Sequence, residues 1–120
     1  MTGSADPRYR SWDVVILPFP FTDRNAVKVR PAVVVSSEAL HSCAGKYFLA
    51  MITSAGHAPV EGDAGISDLN KAGLPAASLV RPSKLATVER SAFRKRIGTL
   101  AKADRQRVID ALHLFLAKPG

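Results

Sequence analysis

Three residues stand where apolar runs begin or end, and their types suit phosphate chemistry. Arg30 precedes Pro31 and the apolar run Ala32-Val33-Val34-Val35. A guanidinium is always charged and offers a rigid fork of donors that fits phosphate oxygens. At the root of a buried strand it would be held more rigidly than in a loop. Arg81 ends the short run Ala77-Ser78-Leu79-Val80, as Arg30 begins one. Thr53 ends the run Lys46 to Thr53, and its hydroxyl could donate to a phosphate oxygen. Ser54 follows it and would point to the other face of a strand. Each has a plainer reading. An arginine at a strand end can be held in a structural ion pair, and a threonine there can simply fill space as a β-branched residue. His57 has an intrinsic pKa suited to proton transfer, although a loop histidine is more often incidental.

Composition narrows the setting. The chain has 120 residues, enough for one domain, with 47% apolar and 22% charged residues. Lys and Arg number 17 against 10 Asp and Glu, a net charge of +7. That balance favours a polyanionic partner, such as nucleic acid or an acidic protein, over a neutral one. No apolar run approaches the ~20 residues that span a bilayer, and Met1 to Arg10 lacks the apolar stretch of a secretory signal. The single cysteine, Cys43, cannot form an internal disulfide, which fits a cytoplasmic setting. His41-x-Cys43 has no second pair beside it, so neither a metal nor another cofactor is expected.

These residues need elements to position them. Trp12 to Leu17 is β-branched and apolar, and reads as a strand that Pro18 and Pro20 stop. Residues 22–28 form a polar loop, Arg30 to Ser36 a second strand, and Ser37 to Leu40 a short helical turn. Lys46 to Thr53 is a third strand, apolar on both faces. Residues 54–65 hold three glycines and a proline and read as a loop, with an edge strand expected near Val60. Asp68 to Gly73 reads as a brief helix capped by Asp68 or Ser67 and stopped by Gly73. Ala77 to Arg81 and Lys84 to Val88 are two further short strands. Arg94-Lys95-Arg96, the densest basic cluster, reads as a solvated turn or as part of an anion track. A helix from about Lys102 to Leu116 closes the chain, with Val108, Ile109, Leu112, Phe115 and Leu116 as its apolar stripe. Ala101 cannot complete a capping box at its start. Residues 1–10 are a flexible lead-in, and residues 11–117 form one domain of five or six short strands before a closing helix.

The order of motifs resembles one family. Trp12-Asp13-Val14-Val15, Pro18-Phe19-Pro20-Phe21-Thr22-Asp23, Arg30-Pro31-Ala32-Val33-Val34-Val35 and Ile52-Thr53-Ser54 are similar to the MazF/PemK toxin endoribonucleases. Ile66-Ser67-Asp68-Leu69, Ser78-Leu79-Val80-Arg81, Lys84-Leu85-Ala86-Thr87 and Ile97-Gly98-Thr99-Leu100 continue the likeness. The resemblance implies a mainly β fold with α, a small SH3-like barrel of CcdB/PemK type with a short internal helix and a C-terminal helix. It implies a toxin of a type II toxin–antitoxin system that cleaves single-stranded RNA without a metal, as a homodimer, neutralised by an acidic MazE-like antitoxin.

By the same resemblance, Arg30 and Thr53 are the catalytic residues. Arg81, Ser54, Thr22, Asp23, Arg24 and Lys28 are secondary RNA-binding candidates. Arg24 and Lys28 would grip phosphates without reading sequence, or would be ordinary solvated charges. Some members carry an Arg-x-Asp where this chain has Arg81-Pro82-Ser83, so the acid must be absent or supplied from elsewhere. Two other functions suit the same fold: a non-enzymatic gyrase poison resembling CcdB, and a catalytically silent module that binds RNA or antitoxin.

Overall fold

The computed structural model describes residues 9–18 and 28–120. Phe19, Phe21, Thr22, Asp23 and Arg24 lie outside the described residues. Six strands form one antiparallel sheet: β1 (Asp13–Pro18), β2 (Val29–Val34), β3 (Lys46–Ser54), β4 (Ala64–Gly65), β5 (Ser78–Glu89) and β6 (Lys95–Thr99). Their order across the sheet is β4-β5-β3-β2-β1-β6. Helix α1 (Glu38–Ala44) joins β2 to β3, α2 (Leu69–Ala72) joins β4 to β5, and α3 (Lys102–Phe115) closes the chain.

The central strands are apolar at successive positions because the curled sheet is buried on both faces. Val14, Val33, Ala50, Ile52 and Val80 point to one side, where Leu100 and Val108 bring in α3. Val15, Leu17, Ala32, Val34, Leu49 and Met51 point to the other, closed by Tyr47 and Phe93. Alternation along each strand therefore feeds two cores rather than one core and solvent.

Several details depart from the sequence reading. The two short strands expected over 77–88 are one strand, β5. Its pairing with β3 jumps from Leu85 opposite Ala50 to Arg81 opposite Met51, and the bulged residues between include Pro82. A bulge is where a proline, lacking an N–H, fits within a strand. The edge strand expected near Val60 lies at Ala64–Gly65, where it pairs with Val80 and Leu79. The run Arg94-Lys95-Arg96 leads into β6.

Helix α3 starts at Ala101 without a side-chain cap. Its first-turn acid is used elsewhere. Fully buried Asp104 accepts hydrogen bonds from the Ser67 N–H (2.9 Å) and Oγ (3.1 Å) and pairs with Arg107. Arg107 also donates to the Gly65 carbonyl (2.9 Å). A buried carboxylate supplied with these donors ties the helix to the end of β4. Asp68 caps α2 by accepting from the Lys71 N–H (3.0 Å), and Gly73 ends it at φ +75°.

Helix α2 lies directly on β6. A Cβ at Gly98 would fall inside the backbone of Ala72 and Lys71. Gly98→Ala should therefore lower folding stability by about 1–3 kcal/mol, the usual cost of overpacking. Urea unfolding checks this, and an unchanged midpoint would contradict the contact.

Candidate functional site

Arg30 and Thr53 are brought together by strand register. β2 pairs with β3 through Ala32 and Met51, Val33 and Ala50, Val34 and Leu49. Carried two residues further, the same register sets Arg30 opposite Thr53. Both share a face with Ala32, Val34, Leu49 and Met51, since alternate residues point the same way. On its other side Arg30 stands opposite Leu17 of β1, and Thr53 stands opposite Leu79 of β5. One row thus crosses the end of the sheet, with Arg30 and Thr53 at its centre.

The ladder hydrogen bonding between β2 and β3 gives out here for a local reason. Pro31 has no N–H to donate. Arg30 is half-buried and Thr53 is 7% exposed. Among the described residues, neither side chain makes a hydrogen bond or an ion pair. A positive charge and a hydroxyl are thus held on a rigid sheet with their donors unspent.

Ser54 turns away and is exposed, and its Oγ accepts from the Gly56 N–H (3.3 Å). It closes a tight turn rather than joining the row. His57 is exposed in the following loop, its N–H donating to the Ser54 carbonyl (3.3 Å). Lys28 is exposed just before β2.

Arg81 is committed to a carboxylate. It sits opposite Met51 on β5, one strand from Thr53. Its Nε donates to Oδ1 of Asp63 (3.0 Å), and its Nη2 donates to Oδ2 (2.9 Å) and to the Ala58 carbonyl (3.1 Å). The two side chains are only 14% and 10% exposed. The β4–β5 register explains the pair: Ala64 opposes Val80, so the next step sets Asp63 opposite Arg81. Asp63, just before β4, thus sets an acid against Arg81 where β5 itself has none in the next two residues. Sequence reasoning passed over Asp63. Glu61 lies in the same loop, and no spacing distinguishes the two acids.

The hydrogen bonds from Arg81 hold the Asp63 carboxyl below its ordinary pKa of 3.8, helped by the Val60 N–H and opposed by burial. The same bonds raise the pKa of Arg81.

Among the described residues, no three His, Cys, Asp or Glu side chains gather as metal ligands, and no helix is long and apolar enough to cross a membrane.

The sequence profile of the PemK-like, MazF-like toxins of type II toxin–antitoxin systems matches residues 10–116. The chain belongs to that family. Solved structures share the fold of this toxin at low sequence identity. A mycobacterial endoribonuclease in complex with its cognate antitoxin superposes with a TM-score of 0.73 at 14% identity, covering 93% of this chain and 100% of that one. MazF from Deinococcus radiodurans gives 0.72 at 16%, covering 91% and 96%. The Mycobacterium tuberculosis toxin MazF-mt6 gives 0.68 at 18%, covering 85% and 93%. Among curated proteins none is significantly similar in sequence.

The Arg81–Asp63 pair sets a pH dependence for the toxin's stability. A carboxylate whose pKa is lower folded than unfolded stabilises above the ordinary carboxylate range. That contribution disappears as pH falls through the lowered value. Asp63→Asn should therefore be less stable than wild type at pH 7, and the gap should narrow toward pH 3. Urea midpoints at pH 7, 5 and 3 test this, and a constant gap would contradict it.

Proposed function

We propose that the toxin is a sequence-specific endoribonuclease that cleaves single-stranded RNA, an mRNA interferase, with Arg30 and Thr53 as its catalytic residues. What carries this reading is the β2–β3 register, which continued past Ala32 and Met51 sets Arg30 opposite Thr53, with neither side chain paired among the described residues. Family membership makes RNA the substrate to test first.

The reaction uses the RNA's own 2′-OH as nucleophile. A bond forms between O2′ and phosphorus, and the bond from phosphorus to O5′ breaks. The 2′ proton is lost and the leaving O5′ gains one. The products are a 2′,3′-cyclic phosphate and a 5′-OH. The phosphorane between them carries extra negative charge on crowded oxygens. Donors fixed before the reaction stabilise that charge without having to reorganise, at about 2.7–4 kcal/mol for one oxyanion-type donor. Arg30 supplies the charge and the fork of donors, and it can protonate the leaving oxygen. A guanidinium stays protonated in proteins, so it is not the base. Thr53 donates its hydroxyl to a phosphate oxygen. Ser54, Lys28, Thr22, Asp23 and Arg24 remain secondary RNA contacts in this reading.

The partners follow from charge and exposed apolar surface. A net charge of +7 suits both RNA and an acidic MazE-like antitoxin. A groove of about 650 Å³ between α3 and the sheet is lined by Val35, Phe48, Leu85, Ile109, Leu112 and Leu116. Phe48 is 45% exposed and Leu116 63%. An apolar surface of this kind favours burial against another chain. The homodimer of this reading places a second copy there, in the cytoplasm where the RNA is.

Purified protein incubated with single-stranded RNA in EDTA should cleave it. Arg30→Ala should lose at least a hundredfold in rate, about 2.7 kcal/mol. Thr53→Val should lose about tenfold. Toxicity in cells with intact RNA would point to the gyrase-poison alternative. Equal cleavage by Arg30→Ala would remove that residue from the mechanism.

A further inference from the structure

We infer that His57 is the general base of this reaction, the group that takes the 2′ proton beside Thr53. The inference rests on the RNA reading above and fills the role that Arg30 leaves open.

The chain turns back directly after Thr53. The His57 N–H donates to the Ser54 carbonyl (3.3 Å), and the Gly56 N–H donates to the Ser54 Oγ (3.3 Å). Such a turn keeps its first and fourth Cα atoms within about 7 Å. His57 is therefore held close to the end of β3. The next residue fixes which face of the sheet the chain then follows. Arg81 stands opposite Met51, and partners across an antiparallel ladder point the same way. Its side chain thus lies on the face of Met51, Thr53 and Arg30. Arg81 Nη2 donates to the Ala58 carbonyl (3.1 Å). Ala58 is tied down on that face, and His57 is the residue before it.

Among the described residues, the segment 55–63 offers three side chains that could accept the proton: His57, Glu61 and Asp63. Asp63 is already committed. Its Oδ1 accepts from Arg81 Nε (3.0 Å), and its Oδ2 accepts from Arg81 Nη2 (2.9 Å) and the Val60 N–H (2.8 Å). These donors favour the ionised carboxylate and make it a poor proton acceptor. Glu61 lies in a turn closed by the Asp63 N–H on the Val60 carbonyl (3.0 Å). Its neighbour Gly62 is pressed against α3, where an added Cβ would fall 2.7 Å from Cζ of Phe115 and 3.3 Å from Cβ of Ala111. Helix α3 packs on the opposite face of the sheet, through Val108. Glu61 is thus placed beside the helix, away from Thr53.

His57 is exposed, and among the described residues its side chain makes no hydrogen bond or ion pair. The charged groups around it are Arg30, the Arg81–Asp63 pair and Glu61. An imidazole changes charge near neutral pH, so its neutral form is available to accept a proton there. As the O2′–phosphorus bond forms and the phosphorus–O5′ bond breaks, the imidazole takes the 2′ proton. The leaving O5′ gains a proton from Arg30, which regains one from solvent. The imidazolium gives its own proton to solvent, and both side chains end as they began.

Single-turnover cleavage of a long single-stranded RNA transcript, with toxin in excess and EDTA present, tests this from pH 5 to pH 9. The wild-type rate should rise about tenfold per pH unit at acid pH and level off near neutrality. His57→Ala and His57→Gln should each lose about a hundredfold or more, and lose that rise. Added imidazole should restore part of the rate to His57→Ala. Glu61→Gln should keep the wild-type rate and profile. His57 variants that cleave as fast as wild type would overturn the inference and leave the RNA reading standing. So would slow variants that keep the wild-type pH profile and gain nothing from imidazole, the result a merely structural role gives. Loss of the rise in Glu61→Gln would move the base to that residue and overturn the inference as well. A wild type that cleaves no RNA at any pH would defeat the RNA reading, and this inference with it.

Discussion

A sheet buried on both faces has room for charge only at the ends of its strands. The middle of β1, β2 and β3 feeds two apolar cores, one under α3 and one closed by Tyr47 and Phe93. An uncompensated ion at Val33 or Ala50 would have to be desolvated on every side. Polar and charged groups are thereby pushed to the rim, where the cores stop and solvent begins. Arg30 and Thr53 sit at that boundary, partly desolvated and supported by packed neighbours. Their partial burial and their rigidity come from the same constraint.

Two arginines at this rim have different assignments. Arg30 is in register with a hydroxyl, and Arg81 is in register with a carboxylate. A guanidinium with a bidentate carboxylate is strongly held and has few donors left. Asp63 therefore makes Arg81 a fixture that ties the loop before β4 to β5, through its bond to the Ala58 carbonyl as well. The contrast comes from which residue the neighbouring strand sets opposite each arginine.

Much of this was legible in the chain. β-branched runs marked β1, β2 and β3, and Asp68 and Gly73 bracketed α2 through capping that needs only local sequence. Arg30 and Thr53 were readable because one begins and the other ends an apolar run. What stayed hidden was set by pairing partners. Pro82 read as a strand break, because a proline disrupts a regular ladder, and only the bulge opposite β3 accommodates it. The edge strand at Ala64–Gly65 is defined by Val80 and Leu79 rather than by its own propensity. Arg94-Lys95-Arg96 lacks strand formers, yet pairing with β1 makes the run the entry to β6. Asp63 could be found only from the register that sets it opposite Arg81.

The cations of β6 have a consequence for colloidal behaviour. β6 is an outer strand of the sheet, so its outward backbone groups form a template on which another chain could add. Two copies meeting edge to edge along β6 would bring Arg94, Lys95 and Arg96 against the same residues in reverse order. Like charges facing one another across strands are destabilising. The basic run thus guards the open edge against self-addition.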